Sequence, residues 1–403
     1  NVIKGMLMLT QSHIDTVKAT IPLLASGGTA ITEHFYARMF LHNPELKNIF
    51  NMTHQKTGRQ PAALFNAIAA YAANIDQLEL LTDAVMRIAH KHTSFNIQPE
   101  QYAIVGHHLI ETLRELAPDA FTPDVEEAWT AAYGQLADIF IKVESELYQQ
   151  RAAVKGGWSG FRAFSVVSKE TESELVTSFT LMPVDGGSVI DYKPGQYLGI
   201  KVHPHGSEHD EIRQYSLSTA ANGKSYRISV KREGLGEMCG VMSNYLHLKI
   251  NVGDEVLVMP PAGDFYLKQL DTPVILISAG VGLTPMQAML DSLVKENFAH
   301  PVTYLHACKN RNQHSFKDHV ESVKSTLNLQ SHTWYENDVS SSQNETTGRM
   351  KIEDVKGSLP LKEGEFYLCG PLQFMLAIKH ELLALGVSQS RINYELFGPH
   401  QEV

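Results

Sequence analysis

The hydrophobic period of this chain changes twice along its 403 residues, and each change restricts what the stretch can fold into. Up to about residue 150, apolar residues recur at i, i+3, i+4 and i+7, the spacing that keeps one face of a helix apolar. Ser12 can cap a helix carrying Ile14, Val17, Ile21 and Leu24, which the Gly27-Gly28 pair ends. Thr32 to Leu41 repeats the pattern with Phe35, Met39 and Phe40 inward, and Pro44 suits the start of a short turn leading to Phe50. Leu64, Ile68, Tyr71 and Ile75 form another stripe; Val85, Ile88, Ala89 and His92 the next. Pro99 and Pro123 open two further helices, the last running through Trp129, Leu136, Phe140 and Val143. No strand signal interrupts them, so residues 8–150 are expected to form one all-α domain.

A polar segment, Gln149 to Gly157, precedes the first change of period. Short β-rich runs follow at Phe164–Val167, Glu174–Leu181, Gln196–Val202, Tyr226–Lys231 and Glu255–Met259, separated by turns such as Asn222-Gly223. Close spacing of short strands predicts an antiparallel β-barrel over residues 158–268. From about Thr272, strands at Val274–Ser278, Val302–Ala307, His332–Glu336, Phe366–Cys369 and Ile392–Phe397 alternate with helical runs. That rhythm predicts a doubly wound α/β domain over 269–403.

Composition removes several function classes. A net charge of −10 argues against nucleic acid or an anionic membrane surface as partner. No apolar run reaches the ~18 residues of a membrane span. The three cysteines, Cys239, Cys308 and Cys369, are far apart and form no CxxC, which favours a reducing compartment. The opening Asn1–Leu9, with no initiator methionine, is too weak for a signal peptide, so the chain is expected to be cytoplasmic, with residues 1–7 either a tag or a natural extension.

The chemistry-bearing residues are concentrated. His92 ends an apolar stripe, where a ring nitrogen can be offered to a metal from a dry pocket; His90 points about 160° away on the same helix. Strand 274–278 runs into Ala279-Gly-Val-Gly-Leu-Thr-Pro285. Gly280 and Gly282 let a diphosphate approach the backbone, Thr284 can cap the following helix, and Pro285 suits its first position. A second strand–Gly–Pro–helix switch stands at Cys369-Gly370-Pro371. Two such turns in one sheet point to nicotinamide dinucleotide binding. In the barrel, Arg213 can neutralise a pyrophosphate, Tyr215 can cover a flavin ring, and Ser243 lies at a helix start after Gly240.

Arg213-Gln214-Tyr215-Ser216, Gly240 to Ser243, GVGLTP, CGP and the closing Tyr394-Glu-Leu-Phe-Gly-Pro-His400 occur in the order found in ferredoxin–NADP reductase-type FAD modules, which residues 158–403 resemble. Tyr36, Phe50, Gln60, Leu64, His92, Tyr102 and Glu144 match the residue types of bacterial globins on successive helices. The whole chain therefore resembles the flavohaemoglobins, bacterial and fungal nitric oxide dioxygenases. One position departs: Leu396 stands where the family commonly has cysteine.

The resemblance implies three cofactors, haem b, FAD and NADH or NADPH, with electrons passing in the order coenzyme, FAD, haem, and NO and O2 becoming nitrate. It implies His92 as axial iron ligand, with Tyr102 and Glu144 hydrogen-bonded to its other nitrogen and raising its basicity. Tyr36 and Gln60 would be distal donors, Phe50 and Leu64 apolar walls, and Lys91 and Glu395 charges that tune the two redox centres. Flavin and coenzyme would be held by Tyr197, Arg213, Gln214, Tyr215, Ser216, Gly240, Ser243, Gly280, Val281, Gly282, Leu283, Thr284, Pro285, Cys369, Gly370, Pro371, Leu396, Phe397, Gly398 and Pro399. It also implies a monomer whose distal pocket can admit a lipid or an azole. Arg311, after the second strand of the nucleotide domain, is expected to tolerate a ribose 2′-phosphate. Two alternatives remain: a haem-based oxygen carrier or sensor, and a reductase of peroxides or quinones.

Overall fold

The computed structural model describes residues 9–56, 58–234, 240–268 and 271–398. Contacts gather the chain into two compact units: residues 1–154, 158–161 and 201–213 in one, and 155–157, 162–200 and 214–403 in the other.

The first unit is built on eight described helices. They are α1 (Gln11–Ala19), α2 (Ile21–Gly27), α3 (Thr29–His42), α4 (Met52–Lys56), α5 (Arg59–Ala73), α6 (Thr82–Ser94), α7 (Pro99–Leu116) and α8 (Pro123–Ala153). Two expectations at its start need correction. Thr10, not Ser12, caps α1, its hydroxyl accepting from the His13 amide at 3.2 Å. The helix expected to run on to Gly27 breaks at Thr20, because Pro22 has no N–H to give and its ring crowds the preceding turn. The break is used: the Thr20 hydroxyl donates back to the Val17 carbonyl and accepts from the Trp129 indole at 2.9 Å.

Three apolar clusters hold these helices together. Val17, Tyr71, Ala128, Trp129 and Ala132 form one. Phe35, Tyr36, Met39, Phe40 and Leu109 form the second, with Phe50, Met52 and Leu64 packed against it. Ala89, Phe140 and Val143 form the third, beside Tyr102. The second and third clusters flank the residues singled out above as distal and proximal.

The β-rich region contains β1 (Arg162–Thr171), β2 (Val176–Pro183), β3 (Tyr197–Val202), β4 (Glu211–Ser216), β5 (Tyr226–Lys231) and β6 (Glu255–Val258), with α9 (Val241–Leu248) between the last two. β1 pairs antiparallel with β2 and β6, and β2 with β5. The sheet order is β4-β3-β6-β1-β2-β5, so β4 and β5 are its edges. Just past β4, Leu217 bridges Ile228 of β5 and the Ser218 amide donates to the Arg227 carbonyl at 2.9 Å, which curls the sheet toward closure. Arg213 to Ser216 lie on strand β4.

The last region carries β7 (Val274–Ala279), α10 (Leu283–Lys295), β8 (Val302–Cys308), α11 (Lys317–Val323), β9 (Leu329–Tyr335), β10 (Glu345–Thr347), β11 (Glu365–Cys369), α12 (Leu372–Ala384) and β12 (Ile392–Glu395). The strands are parallel, in the order β10-β9-β8-β7-β11-β12. The strand order therefore reverses between β7 and β11, and ligands bind outside the carboxyl ends of strands at such a switch. Strand β10 has only three residues, all polar, and carries no apolar alternation by which its sequence would announce it. Among the described residues no helix is long and apolar enough to cross a membrane.

Candidate functional site: a haem crevice and a flavin–nicotinamide relay

Helix α6 presents His92 in its last turn, while α7 and α8 bring Tyr102 and Glu144 to the same imidazole. His92 Nδ1 lies 2.8 Å from Glu144 Oε1 and 2.9 Å from the Tyr102 hydroxyl, and that hydroxyl donates to Glu144 Oε1 at 2.7 Å. With the phenol proton given to the carboxylate, Nδ1 must carry the proton it shares with both oxygens. Nε2 is then the nitrogen with a free lone pair, the form that ligates iron. The Glu144 side chain is 3% exposed and that of His92 34%, so the carboxylate is sealed behind a ring whose other edge stays accessible.

Tyr102 is itself fixed. Its ring stacks on Phe140 at 6.3 Å and its carbonyl accepts a hydrogen bond from the Tyr133 hydroxyl. Tyr133 fits because Gly106 has no side chain; a Cβ there would stand 2.4 Å from the Tyr133 ring. Burial, with Glu144 adding to it, pushes the Tyr102 phenol above its usual range, so it stays a donor. His90, on the other face of α6, faces the Arg151 guanidinium at 3.0 Å from Nδ1.

The distal candidates come from α3 and α5. Tyr36 is buried at 5% exposure, with the Phe50 ring edge-on at 5.6 Å and Phe40 stacked at 5.9 Å. Gln60 Nε2 approaches its hydroxyl at 3.5 Å, the outer limit of a hydrogen bond. Burial pushes the Tyr36 phenol up, with the Gln60 and Gln55 amides opposing. Gln55, on α4, was missed by sequence reasoning: one polar turn of helix has no periodicity to mark a side chain as inward. Lys91 lies beside His92 on α6 and is partly buried.

In the barrel, Ser216 is 4% exposed and its hydroxyl has no hydrogen-bond partner, a cost that a bound group with a polar atom would remove. Gln214 and Tyr215 are partly buried beside it on β4. Tyr197 on β3 packs against Gly263, where a Cβ would come within 2.9 Å of the ring. Arg213 is held by Glu211, at 2.8 Å, so a diphosphate would share this guanidinium with a carboxylate. Gly240 precedes α9 with no room for a Cβ, which would meet Ser243 Oγ at 2.8 Å. The Ser243 hydroxyl donates to the Gly240 carbonyl and accepts from the Glu233 amide at 3.1 Å, so it braces the loop and does not point freely at a ligand. The orphaned Ser216 hydroxyl, with Tyr197 and Tyr215 on the neighbouring strands β3 and β4, suits a flavin nucleotide.

At the sheet's switch point the two glycine turns touch. A Cβ on Gly282 would stand 2.3 Å from the Cys369 carbonyl oxygen and 2.8 Å from the Gly370 nitrogen. Gly280 has a positive φ of 55°, which favours glycine. The capping expectation is corrected here: Gly282 caps α10, with Leu283 first and Pro285 third, and the Thr284 hydroxyl donates to the Val281 carbonyl at 3.1 Å. Pro371 caps α12. The cradle between the two turns suits a dinucleotide. Glu395 sits opposite Cys369 in the β11–β12 register; burial first, then Glu395, pushes the Cys369 thiol far above its usual range. Leu396 is partly buried, Phe397 is 42% exposed, Gly398 has φ 129°, and Pro399 lies outside the described residues.

Arg311 is already engaged. Its guanidinium meets Glu345 at 2.5 Å and Asp338 at 3.5 Å, and covers the Tyr335 ring at 4.6 Å. Burial pushes the Glu345 carboxyl up, but hydrogen bonds from Ser341 and Arg311 outweigh it and hold the group below its usual range. An incoming 2′-phosphate would have to displace these carboxylates.

Comparison with known proteins agrees with this division of labour. Residues 33–140 match the globin family, 163–266 the oxidoreductase FAD-binding domain and 276–380 the oxidoreductase NAD-binding domain. The chain is thus an NAD(P)H oxidoreductase that joins a flavin module to a haem globin. It is 57% identical to the flavohemoprotein of Vibrio cholerae over 397 residues, 98% of this chain and all of that one. A crystal structure of flavohemoglobin from Malassezia yamatoensis with bound FAD and haem superposes with a TM-score of 0.86 at 26% identity, covering 97% of this chain and 100% of that one. The FAD/NAD-binding domain of nitric oxide dioxygenase from Vibrio cholerae matches at 49% identity and a TM-score of 0.56, over 59% of this chain and 99% of that one. The chain belongs to the flavohaemoprotein family, with electrons passing from NAD(P)H through FAD to haem.

Proposed function

We propose that this protein is a nitric oxide dioxygenase that detoxifies NO in the cytoplasm, converting NO and O2 to nitrate with NADH or NADPH as electron source. The observation that carries the reading is the His92–Glu144–Tyr102 triad in a chain that also holds a flavin reductase. When bound, haem supplies gas binding and one-electron chemistry, and FAD exchanges a hydride for single electrons. The chain's own residues do the rest. Glu144 and Tyr102 keep the Nδ1 proton of His92 hydrogen-bonded to a buried carboxylate, which makes Nε2 a more electron-rich ligand and favours activation over carriage. Tyr36 and Gln60 place donors where a polarised gas ligand would sit, and Phe50 and Leu64 exclude water. Ser216, Tyr215, Tyr197 and Arg213 would hold the flavin, and the Gly282–Cys369 cradle the coenzyme. Plain oxygen carriage would leave the reductase without a task. The haem- and FAD-loaded full chain should consume NO only when O2 is present, forming nitrate in equal amount, with a lower KM for NADH than for NADPH. Equal NO consumption without O2, or products other than nitrate, would remove the proposal.

A further inference from the structure

One face of α8 meets Tyr102 along its whole length. At about 100° per residue, Tyr133, Phe140, Glu144 and Tyr148 lie within about 80° of one another on that helix. The Tyr133 hydroxyl donates to the Tyr102 main-chain carbonyl. The Phe140 ring stacks on the Tyr102 ring, and Glu144 Oε1 accepts from its phenol. Tyr148 reaches the turn between α6 and α7. Its hydroxyl donates to the Ile97 carbonyl at 2.7 Å, and the Ile97 amide donates to the His92 carbonyl at 3.3 Å. Burial pushes both the Tyr133 and Tyr148 phenols above their usual range, so both remain donors.

His92, Tyr102 and Glu144 come from three helices, and the hydrogen bonds joining them weaken steeply when misaligned. The Tyr133 ring sits in the notch left by Gly106, one turn after Tyr102, while its hydroxyl holds the Tyr102 carbonyl. Notch and bond together stop α7 from sliding along α8. We propose that Tyr133 and Tyr148 are positioning residues that register α7 and the α6–α7 turn on α8, so that Tyr102 and His92 meet on one oxygen of Glu144 and Nε2 stays electron-rich. Tyr133 acts through Tyr102, and Tyr148 through the backbone that follows His92. The inference rests on His92 as axial ligand in the proposed function, and its test separates the two.

The test uses the ferrous, haem- and FAD-loaded full chain, read by the iron–histidine stretching frequency and the haem reduction potential. Tyr133→Phe keeps the ring in the Gly106 notch and removes only the hydroxyl; Tyr148→Phe does the same at Ile97. Each should lower the stretching frequency, because a weaker bond from Nδ1–H makes the imidazole a poorer donor to iron. Each should also favour ferrous over ferric haem by about two- to tenfold, the size expected from one neutral hydrogen bond. Tenfold is about 59 mV for one electron, and the flavin potential should not move. In a Tyr102→Phe background, Tyr133→Phe should add nothing, since the phenol it positions is gone. Tyr148→Phe should still act there.

Frequency and potential unchanged in both single variants would overturn the proposal even if melting temperature fell, since a purely structural hydroxyl costs stability alone. A Tyr133→Phe shift that persists in full without the Tyr102 phenol would overturn it as well. If Tyr133→Phe holds haem poorly, Tyr148→Phe carries the same test. If the ferrous parent shows no iron–histidine stretch, the axial reading of His92 falls. If the parent shows one and both variants leave it in place, this inference falls alone.

Discussion

The two sides of the proposed haem crevice are finished to different degrees. On the proximal side His92 Nδ1, the Tyr102 hydroxyl and Glu144 Oε1 meet one another within 2.9 Å, and the carboxylate is sealed from water. On the distal side the Gln60–Tyr36 contact is stretched to 3.5 Å and the buried Gln55 nitrogen has no partner at all. A group that ligates permanently can be held in advance by neighbours that satisfy one another. A pocket that must accept and release a ligand keeps donors in reserve, at a cost in stability that the ligand offsets.

The largest effect should come from opening the finished side. Glu144→Leu would leave the buried Tyr102 hydroxyl without its acceptor, and His92 Nδ1–H with only the Tyr102 oxygen. For one orphaned donor the globin should lose about 1–3 kcal/mol by thermal or denaturant unfolding. Turnover should fall about 10–100-fold while flavin reduction by NADH stays unchanged, because only the ligand's basicity has been altered. A variant as stable and active as the parent would show that the proximal network is not what prepares His92.

Of the proximal side the sequence itself marked only His92 and the helices that carry Tyr102 and Glu144; the roles of those two came from the family resemblance. His92 stands on an apolar stripe, and Tyr102 and Glu144 follow on helices whose proline starts are plain in the sequence. The turns at Gly282 and Cys369 were likewise visible, though not that they touch, which only the parallel pairing of β7 and β11 brings about. Elsewhere local signals were too weak. Strand β4 reads EIRQYS, with too few apolar residues to alternate, and Gln55 sits in a helix too short to have a face. Arg311 looked free because its carboxylate partners, Asp338 and Glu345, are 27 and 34 residues further on.

A smaller effect is expected from the unfinished side. Tyr36→Phe removes a hydroxyl whose protein contacts are loose, so stability should change by less than about 1 kcal/mol. Oxygen release should quicken by about one to two powers of ten, as expected when a donor to a charged or strongly polarised ligand is lost, at roughly 1.5–3 kcal/mol. Stopped-flow release and chemical unfolding on the same preparation check both halves. Release unchanged with stability lost would reverse the contrast, making the distal side structural.

The smallest effect tests whether the distal helix is sensitive to acid. His108 on α7 is 2% exposed, and both ring nitrogens are used in the neutral form. Arg38 Nη1 donates to Nδ1 at 2.7 Å, which leaves Nε2–H to donate to Asn43 Oδ1 at 2.7 Å. Burial, then the charge of Arg38, then the nearby His107 and His42 push its pKa down, with Glu111 opposing. Arg38 lies on α3, the helix that carries Tyr36. A folded pKa below the unfolded value of about 6.5 means that the unfolded chain takes up the proton first. The stability contributed by neutral His108 is therefore complete above about pH 6.5 and is lost as pH falls through the window beneath it. Linkage limits the loss to about 1.4 kcal/mol per pH unit for one proton. Between about pH 7.5 and 5.5 the parent globin should lose melting temperature more steeply than His108→Gln, which keeps an amide donor for Asn43 and cannot charge. Equal slopes would mean that acid reaches the fold by another route and that the α3–α7 seam is no weaker to protons than the sealed triad.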